Sequence, residues 1–264
     1  MRLFRIVLLH FQHVFENRLR SLVWFLIPLM NNLTVILFWS GAIKNTNSNA
    51  SWNMSTIATY YFLLTIMGAM LNSHIEEDVA VFDIQQGDLV RYLTRPFPYY
   101  WIKFIEEIPY RILQGSYGIL LVIAFSFFYK NYITISNNPI ILLLSSLIMI
   151  LAFFLTFTLK MNLGLSAFWF TDSRGFFELI TIVLIIFSGG IMPLYLLPHG
   201  MQTISSILPF AYTAYFPILS LQGVFSYAQL IRIIGIQCLW LAVFLIINRI
   251  MWKQGIKQFT SFGQ

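Results

Sequence analysis

Six long apolar runs constrain the fold of this chain more than any other feature of its sequence. Each is close to or above the roughly 20 residues that a helix needs to cross a bilayer. Short polar stretches separate the runs, which cover residues 22–43, 57–75, 108–128, 139–170, 179–197 and 229–251. Only 10% of the chain is charged, whereas soluble domains carry about 25% charged residues. The sequence therefore predicts an all-α integral membrane protein with six transmembrane helices.

The fourth run is interrupted by Lys160. A lysine at the centre of a bilayer costs about 2.5–3.5 kcal/mol on insertion scales. We expect Lys160 to lie toward one end of its helix, to snorkel, or to face the helix bundle. The runs are otherwise nearly free of ionisable side chains away from their ends. This disfavours a carrier with a carboxylate relay and suits an apolar or amphipathic cargo.

The distribution of lysine and arginine predicts the orientation of the chain. With the N-terminus inside, twelve of these residues are cytoplasmic and three, Lys44, Lys130 and Arg232, lie outside. The positive-inside rule favours this arrangement. Both termini and the polar segment 76–103 are then cytoplasmic, and segment 188–217 lies on the outer side.

Residues 1–20 predict an amphipathic helix in the membrane interface. Apolar residues recur at helical spacing on one face, at Phe4, Val7, Leu8, Phe11, Val14 and Phe15. The other face is polar and basic, so the helix would lie with its apolar face toward the lipid. The alternative is an N-terminal helix that packs against other helices.

Segment 76–103 concentrates the acidic residues. Seven of the ten acids fall between Glu76 and Glu107, and an anionic membrane surface would not attract so acidic a stretch. Gly87 predicts a helix stop, with Asp88 as the N-cap of a short helix. The prolines that follow force an extended turn. These features are typical of a docking element for a protein partner; the alternative is a solvated connector.

Segment 188–217 is broken by a glycine pair at 189–190 and by prolines at 193, 198, 209 and 217. Proline interrupts helical hydrogen bonding, and broken backbone at membrane depth must be covered by protein or line a water-filled cavity. We expect a partly re-entrant or interfacial hairpin. The alternative is an ordinary apolar loop with a short helix.

The sequence lacks common motifs of energy conversion and catalysis. No lysine is followed by Ser or Thr, so the chain has no nucleotide-binding P-loop. It has no H-E-x-x-H motif and a single cysteine, Cys238, so neither a metal site nor a disulfide is predicted. No basic stripe with interleaved aromatic residues indicates nucleic-acid binding. Energy for active transport must then come from another chain.

Four segments together resemble a known family, the transmembrane permease subunits of bacterial type-2 ABC exporters. They occur in the family's order and span nearly the whole chain: DIQQGDLVRYLTRP (83–96), SGGIMPL (188–194), LPFAYTAYFP (208–217) and NRIMWKQGIKQFTSFG (248–263). The resemblance implies a multi-pass protein of the bacterial inner membrane with six spans. It adds an interfacial N-terminal helix, a cytoplasmic coupling helix between spans two and three, and an outer re-entrant segment after span five. Lys160 departs from the family's pattern.

The resemblance also implies partners. Two permeases, identical or different, would form a dimer on two cytoplasmic ATP-binding cassette ATPase subunits. Those subunits would hold ATP and Mg²⁺, so no cofactor is expected in this chain. The pair of permeases would form the path of an exported apolar or amphipathic substrate.

Two sets of residues carry the implied roles. The ATPase-coupling set is Asp83, Gly87, Asp88, Leu89, Arg91, Leu93, Arg95 and Pro96. In this set the glycine allows the bend, Asp88 caps the short helix, the two leucines enter a partner groove and the two arginines pair with acids there. The outer re-entrant set is Gly189, Gly190, Pro193, Pro209, Tyr212 and Pro217.

Two other functions stay open on the sequence. A membrane-embedded lipid-modifying enzyme would need a polar cluster, for which His74, Glu76, Glu77 and Asp78 are the candidates. A stand-alone carrier or channel would typically carry internal repeats, and no convincing repeat is present.

Overall fold

The computed structural model describes residues 11–12, 14–16, 18–44, 54–71, 74–128, 134–170 and 174–259. Within these ranges all regular structure is helical, as the sequence predicts. Most of the predicted interfacial helix over residues 1–20 lies outside the described residues, so that prediction stays open.

Ten α-helices follow one another along the described chain. They are α1 (Arg18–Lys44), α2 (Met54–Leu71), α3 (Ile75–Glu77), α4 (Val90–Leu93), α5 (Tyr99–Phe128), α6 (Pro139–Leu165), α7 (Arg174–Phe187), α8 (His199–Ile207), α9 (Tyr215–Leu221) and α10 (Tyr227–Gly255). A π-helix, Asp78–Gln85, continues directly from α3. Short 3₁₀ turns lie at Ser166–Phe168, Leu194–Leu196 and Pro209–Tyr212.

Four helical segments among the described residues are long and apolar enough to cross a membrane. They are Ser21–Gly41, Met54–Gln85, Pro139–Phe168 and Tyr227–Gly255. A fifth candidate is the pair His199–Ile207 and Pro209–Leu221, which is bent by 72°. The four segments coincide with the first, second, fourth and sixth apolar runs of the sequence. The third run lies within the 30-residue helix α5.

The fifth predicted span is not one continuous helix. Helix α7 has 14 residues, which at 1.5 Å per residue is about 21 Å, short of the roughly 30 Å hydrocarbon layer. The helix ends because the chain turns at Gly189, whose φ is 83°. Only glycine adopts this conformation without strain. The predicted range 179–197 is therefore wrong: the helix begins earlier and ends at Phe187.

The broken segment after α7 is attached to α2 by two tyrosines. The Tyr60 hydroxyl donates to the carbonyl of Gly189 at 2.8 Å, and the Tyr61 hydroxyl donates to the carbonyl of Ile191 at 2.9 Å. These bonds satisfy carbonyls that no helix pairs. Such pairing is what allows irregular backbone to persist among apolar helices.

The other residues of the predicted outer set lie in the same broken segment. Pro193 and Pro209 are buried and precede or begin 3₁₀ turns, and Pro217 is buried within α9. The Tyr212 hydroxyl donates to the carbonyl of Ser206 at 2.9 Å. The segment is thus broken where the sequence predicts, into short helices rather than one span.

Helices α6 and α10 form the most extensive helix pair in the described part of the chain. Amide side chains connect them: Asn248 Nδ2 donates to Asn162 Oδ1 at 2.8 Å, and Gln237 Nε2 donates to the carbonyl of Ile148 at 3.1 Å. Between apolar helices in lipid, such hydrogen bonds and close packing replace the hydrophobic driving force. We call α6 and α10 the frame helices, because the polar segment 74–103 packs against their ends.

Candidate functional site

The polar segment 74–103 follows α2 along the chain, begins with α3 and the π-helix, and then turns sharply. The π-helix ends at Gln85, and the amide of Leu89 donates back to the carbonyl of Asp83 at 2.8 Å. Gly87 lies in this turn with a φ of 86°, which favours glycine. The one-turn helix α4 follows at once. π-Helical segments frequently occur at functional sites.

Asp88 does not cap α4 as the sequence predicts. The N-cap residue is Leu89, and no side chain caps this helix. The Asp88 carboxylate instead pairs with Arg91 at 2.9 Å, and both side chains are about half exposed. An exposed pair of this type contributes at most about 1 kcal/mol, so the turn geometry rather than the cap holds α4.

Asp83 is the buried centre of the segment. Its carboxylate is fully buried, and its Oδ2 lies 2.6 Å from Lys103 Nζ and accepts a hydrogen bond from the Tyr99 hydroxyl at 2.5 Å. Buried charges persist only when paired and hydrogen-bonded in this way. Arg91 lies farther away, at 3.8 Å from Oδ1. Asp83 therefore fastens the π-helix to the beginning of α5.

The charge state of this centre follows from its surroundings. Burial alone would lower the pKa of Lys103, but the Asp83 carboxylate raises it above the ordinary lysine value. Burial raises the pKa of Tyr99, and Asp83 raises it further. The lysine therefore stays charged and the tyrosine stays protonated, so both donate to Asp83 at neutral pH.

Tyr92 of α4 is a second connection between the short helix and α5. Its ring is buried and has three cations near its face, from Lys103 at 4.7 Å, Arg95 at 5.1 Å and Arg91 at 5.2 Å. Its hydroxyl donates to Glu106 Oε2 at 3.3 Å. Cation–π contacts are strongest when desolvated, as at Lys103. Both arginines predicted to pair with partner acids thus lie beside Tyr92.

The segment also contacts the far end of α10. The rings of Tyr99 and Trp252 are stacked, with centroids 4.8 Å apart and planes 14° apart. A Cβ at Gly255 would collide with the ring of Phe168, so glycine lets the end of α10 approach the end of α6. The beginning of α5 is thereby packed against the frame helices.

Glu76 and Lys160 form a buried ion pair between α3 and α6. Lys160 Nζ donates to Glu76 Oε1 at 2.9 Å, and both side chains are buried. Glu76 Oε2 is buried without a hydrogen-bond partner in the described structure. Lys160 lies near the C-terminal end of α6 and faces the helix bundle, so two of its three predicted positions are confirmed. The two residues are 84 positions apart, so the sequence alone could not pair them.

Close packing accompanies this pair. A Cβ at Gly164 would lie 2.7 Å from the Cβ of Val79 and 3.0 Å from the carbonyl oxygen of Glu76. The π-helix therefore lies directly against α6, with glycine making the approach possible. A displacement of the π-helix would therefore act directly on α6.

Five large apolar side chains are exposed in this segment, which also carries five of the ten acidic residues of the chain. We call them the exposed apolar set: Phe82, Val90, Leu93, Phe97 and Trp101, each 43–50% exposed. Exposed apolar surface of this density marks interaction sites. Of the two leucines predicted to enter a partner groove, Leu93 belongs to the set, but Leu89 is fully buried in the chain's own core. That part of the prediction is wrong, because Leu89 lies in the turn rather than on the outer face of α4.

The four residues that the sequence offers for an enzyme, His74, Glu76, Glu77 and Asp78, lie in one short stretch over α3 and the start of the π-helix, with Asp78 half-buried. His74 and Glu77 are exposed, whereas Glu76 is engaged by Lys160. No group of three or more His, Cys, Asp or Glu side chains that could hold a metal occurs among the residues searched. The segment presents exposed apolar side chains, and buried ion pairs fasten it to α5 and α6.

A protein-family comparison agrees with the resemblance in the sequence. The family model described as "ABC-2 family transporter protein" matches residues 29–263, which include every helix from α2 onward. No curated protein and no solved structure matches the chain.

Proposed function

The chain belongs to the ABC-2 transporter family, and we propose that it is the permease subunit of an ATP-driven exporter. Family membership and the apolar helices make it a multi-pass membrane transporter subunit rather than an enzyme. The proposal adds the energy source, the partner surface and the class of substrate. One observation carries it: the exposed apolar set extends from the π-helix through α4 to the start of α5, and buried ion pairs fasten this segment to α5 and α6.

The energy source is a separate subunit. The sequence has no P-loop in which a lysine precedes Ser or Thr, and that motif is needed to cradle the phosphates of ATP. ATP and Mg²⁺ therefore bind to cytoplasmic ATP-binding cassette subunits. The positive-inside count supports a cytoplasmic position for segment 74–103 and for both termini, in a bacterial inner membrane.

The partner surface is the exposed apolar set with Arg91 and Arg95 at its edge. An apolar helix face that enters a groove is a common recognition mode, and the two exposed arginines can pair with acids at the rim. Phe97 and Trp101 are large anchors of the kind that dominate interface energetics. Pro96 fixes the turn that presents Phe97.

Movement of the ATPase subunits is transmitted through two buried ion pairs. A push on α4 and the π-helix reaches α5 through Asp83 and Lys103, which are 2.6 Å apart. It reaches α6 through Glu76 and Lys160, which are 2.9 Å apart. Because α6 is packed along α10, a displacement of the turn would move these two helices together with it.

The proposed membrane arrangement has six spans. Helices α1, α2, α6 and α10 provide the first, second, fourth and sixth spans, and α5 provides the third. The fifth span is α7 with the broken segment 188–217, whose broken part re-enters on the outer side. Residues 1–20 lie in the cytoplasmic interface. A second permease, identical or related, completes the path for an apolar or amphipathic substrate, because the spans carry few charges that could select an ion.

The test is association with an ATP-binding cassette ATPase from the same genome. The two proteins are co-expressed, and co-purification and permease-dependent ATPase stimulation are measured for Leu93→Asp and for the matched control Thr94→Asp. Both residues are exposed at the end of α4, and only Leu93 is apolar. The Thr94 hydroxyl donates to the carbonyl of Arg91 at 3.1 Å, so any structural cost of the substitution falls on the control. We expect the leucine variant to lose at least tenfold in affinity and the threonine variant less than threefold. Equal effects of the two variants would contradict the proposed surface.

A further inference from the structure

A groove between α2, α5 and α6 plays no part in the mechanism above. Its volume is about 420 Å³, within the roughly 300–1,000 Å³ typical of small-molecule sites. Methionines from two helices, Met67, Met70 and Met149, line it together with Phe153. Methionine is unbranched and adapts to irregular apolar ligands. The groove is therefore large and compliant enough for a ligand.

The polar groups of the lining are already bonded within the chain. Arg111 Nε donates to Glu107 Oε2 at 2.9 Å, and its Nη1 donates to the carbonyl of Ala69 at 3.3 Å. The Ser116 hydroxyl donates to the carbonyl of Leu113 at 2.7 Å. A ligand in the groove thus meets apolar surface and a guanidinium whose charge Glu107 offsets. This lining favours hydrocarbon and gives little selectivity for a charged head.

The mouth of the groove is formed by exposed apolar side chains. Ile112, Ile119 and Ile150 belong to the lining and are 53–55% exposed. They lie on α5 and α6 within apolar stretches that would be at membrane depth, where the surrounding medium is acyl chain rather than water. Apolar cavities do not hold water, so hydrocarbon is the available occupant.

We propose that this groove binds one acyl chain of a membrane lipid as a discrete site. The chain enters between α5 and α6, lies against the methionines of α2 and α6, and is held longer than the lipids that merely surround the helices. Binding depends on the chain and not on the charge of the headgroup. The inference requires only that the protein spans a membrane, and it holds whether or not segment 74–103 docks an ATPase.

The test uses the full-length protein, purified in mild detergent, and a phospholipid with a diazirine in one acyl chain. Photolabelled positions are mapped by digestion and mass spectrometry while the probe concentration is raised. In the variant Ile112→Trp/Ile150→Trp the mouth is closed by larger side chains at positions that are already exposed. The matched control is Leu239→Trp/Ile246→Trp, at similarly exposed positions of α10. The single variant Ile112→Trp serves if the double variant does not fold.

We expect saturable labelling within the lining, reduced at least fivefold by closing the mouth and unchanged in the α10 control. Unlabelled phosphatidylcholine and phosphatidylglycerol with the same chains should compete within threefold of each other. Labelling that rises without saturation and is equal on α10 would mean surrounding lipid only and would overturn the proposal. A change of oligomeric state in the closed variant would instead assign the groove to contact with a second copy, which also overturns it.

Discussion

Lys103 Nζ lies 2.6 Å from Asp83 Oδ2, and both side chains are buried. This ion pair joins a turn that presents exposed apolar side chains to a long apolar helix. In a chain with so few charges, the pair identifies the place where the membrane helices are connected to the polar segment. The predictions below follow from that connection and from its counterpart at Glu76 and Lys160.

Removal of one partner of the first pair should destabilise the protein strongly. Asp83→Asn leaves the buried Lys103 ammonium with the more distant Glu106 carboxylate, 3.7 Å away, in place of its close partner, and breaking a buried pair in this way costs about 3–5 kcal/mol. The double variant Asp83→Leu/Lys103→Met should recover most of the loss, because both charges are absent. Thermal unfolding of the purified variants measures this. Additive losses in the double variant would show that the two residues do not act as a pair.

The second pair should behave in the same way, with a stricter test by charge exchange. Lys160→Met leaves Glu76 buried without its cation, and a loss of about 3–5 kcal/mol is expected. The exchange Glu76→Lys/Lys160→Glu keeps the opposite charges together and should recover part of the stability. Expression level in the membrane and the unfolding midpoint are the measurements. A stable Lys160→Met protein would rule out the pair as a structural connection.

Gly87 should be needed for coupling rather than for folding. Gly87→Val places a β-branched residue at a φ of 86°, which costs about 1–2 kcal/mol and distorts the turn. We expect helical content and yield to be unchanged, while ATP hydrolysis by the partner is no longer coupled to transport. The control is Gly235→Val, because a Cβ at Gly235 meets no atom within 4 Å. Coupling as in the native protein in Gly87→Val would count against the role of the turn.

Gly255 should tolerate no side chain unless its neighbour shrinks. Gly255→Ala drives a methyl group into the ring of Phe168, and overpacking of this kind costs about 1–3 kcal/mol. Phe168→Leu in the same chain should relieve the collision. The unfolding midpoints of the single and double variants decide the question: no recovery in the double variant would mean that another contact limits the site.

The spans and breaks of this fold could be predicted from the sequence because they depend on local properties. Apolar runs of sufficient length predict the membrane helices, and Gly189 with the nearby prolines predicts the broken segment. The prediction of where the fifth span ends was wrong for a related reason. The run of apolar residues continues past Phe187, but the backbone at Gly189 does not remain helical.

The interior of the polar segment could not be predicted in the same way. From the sequence, both Asp83 and Leu89 are expected in an exposed cytoplasmic segment, yet both are fully buried. Their burial depends on contacts that the local pattern does not show. Tyr99 and Lys103 donate to the Asp83 carboxylate, and the tight turn directs Leu89 inward. The proposed partner surface consequently consists of Phe82, Val90, Phe97 and Trp101 in addition to Leu93.

The central claim is that the exposed apolar set contacts an ATPase subunit. A photo-crosslinking amino acid at position 93 or 97 tests this contact directly when the chain is co-expressed in membranes with an ATP-binding cassette ATPase from the same genome. The control is the same amino acid at Ile246, an exposed position of α10. The account predicts a covalent adduct of chain and ATPase from positions 93 and 97 and none from position 246. Adducts of these two positions with lipid alone, or none with the ATPase, would contradict it.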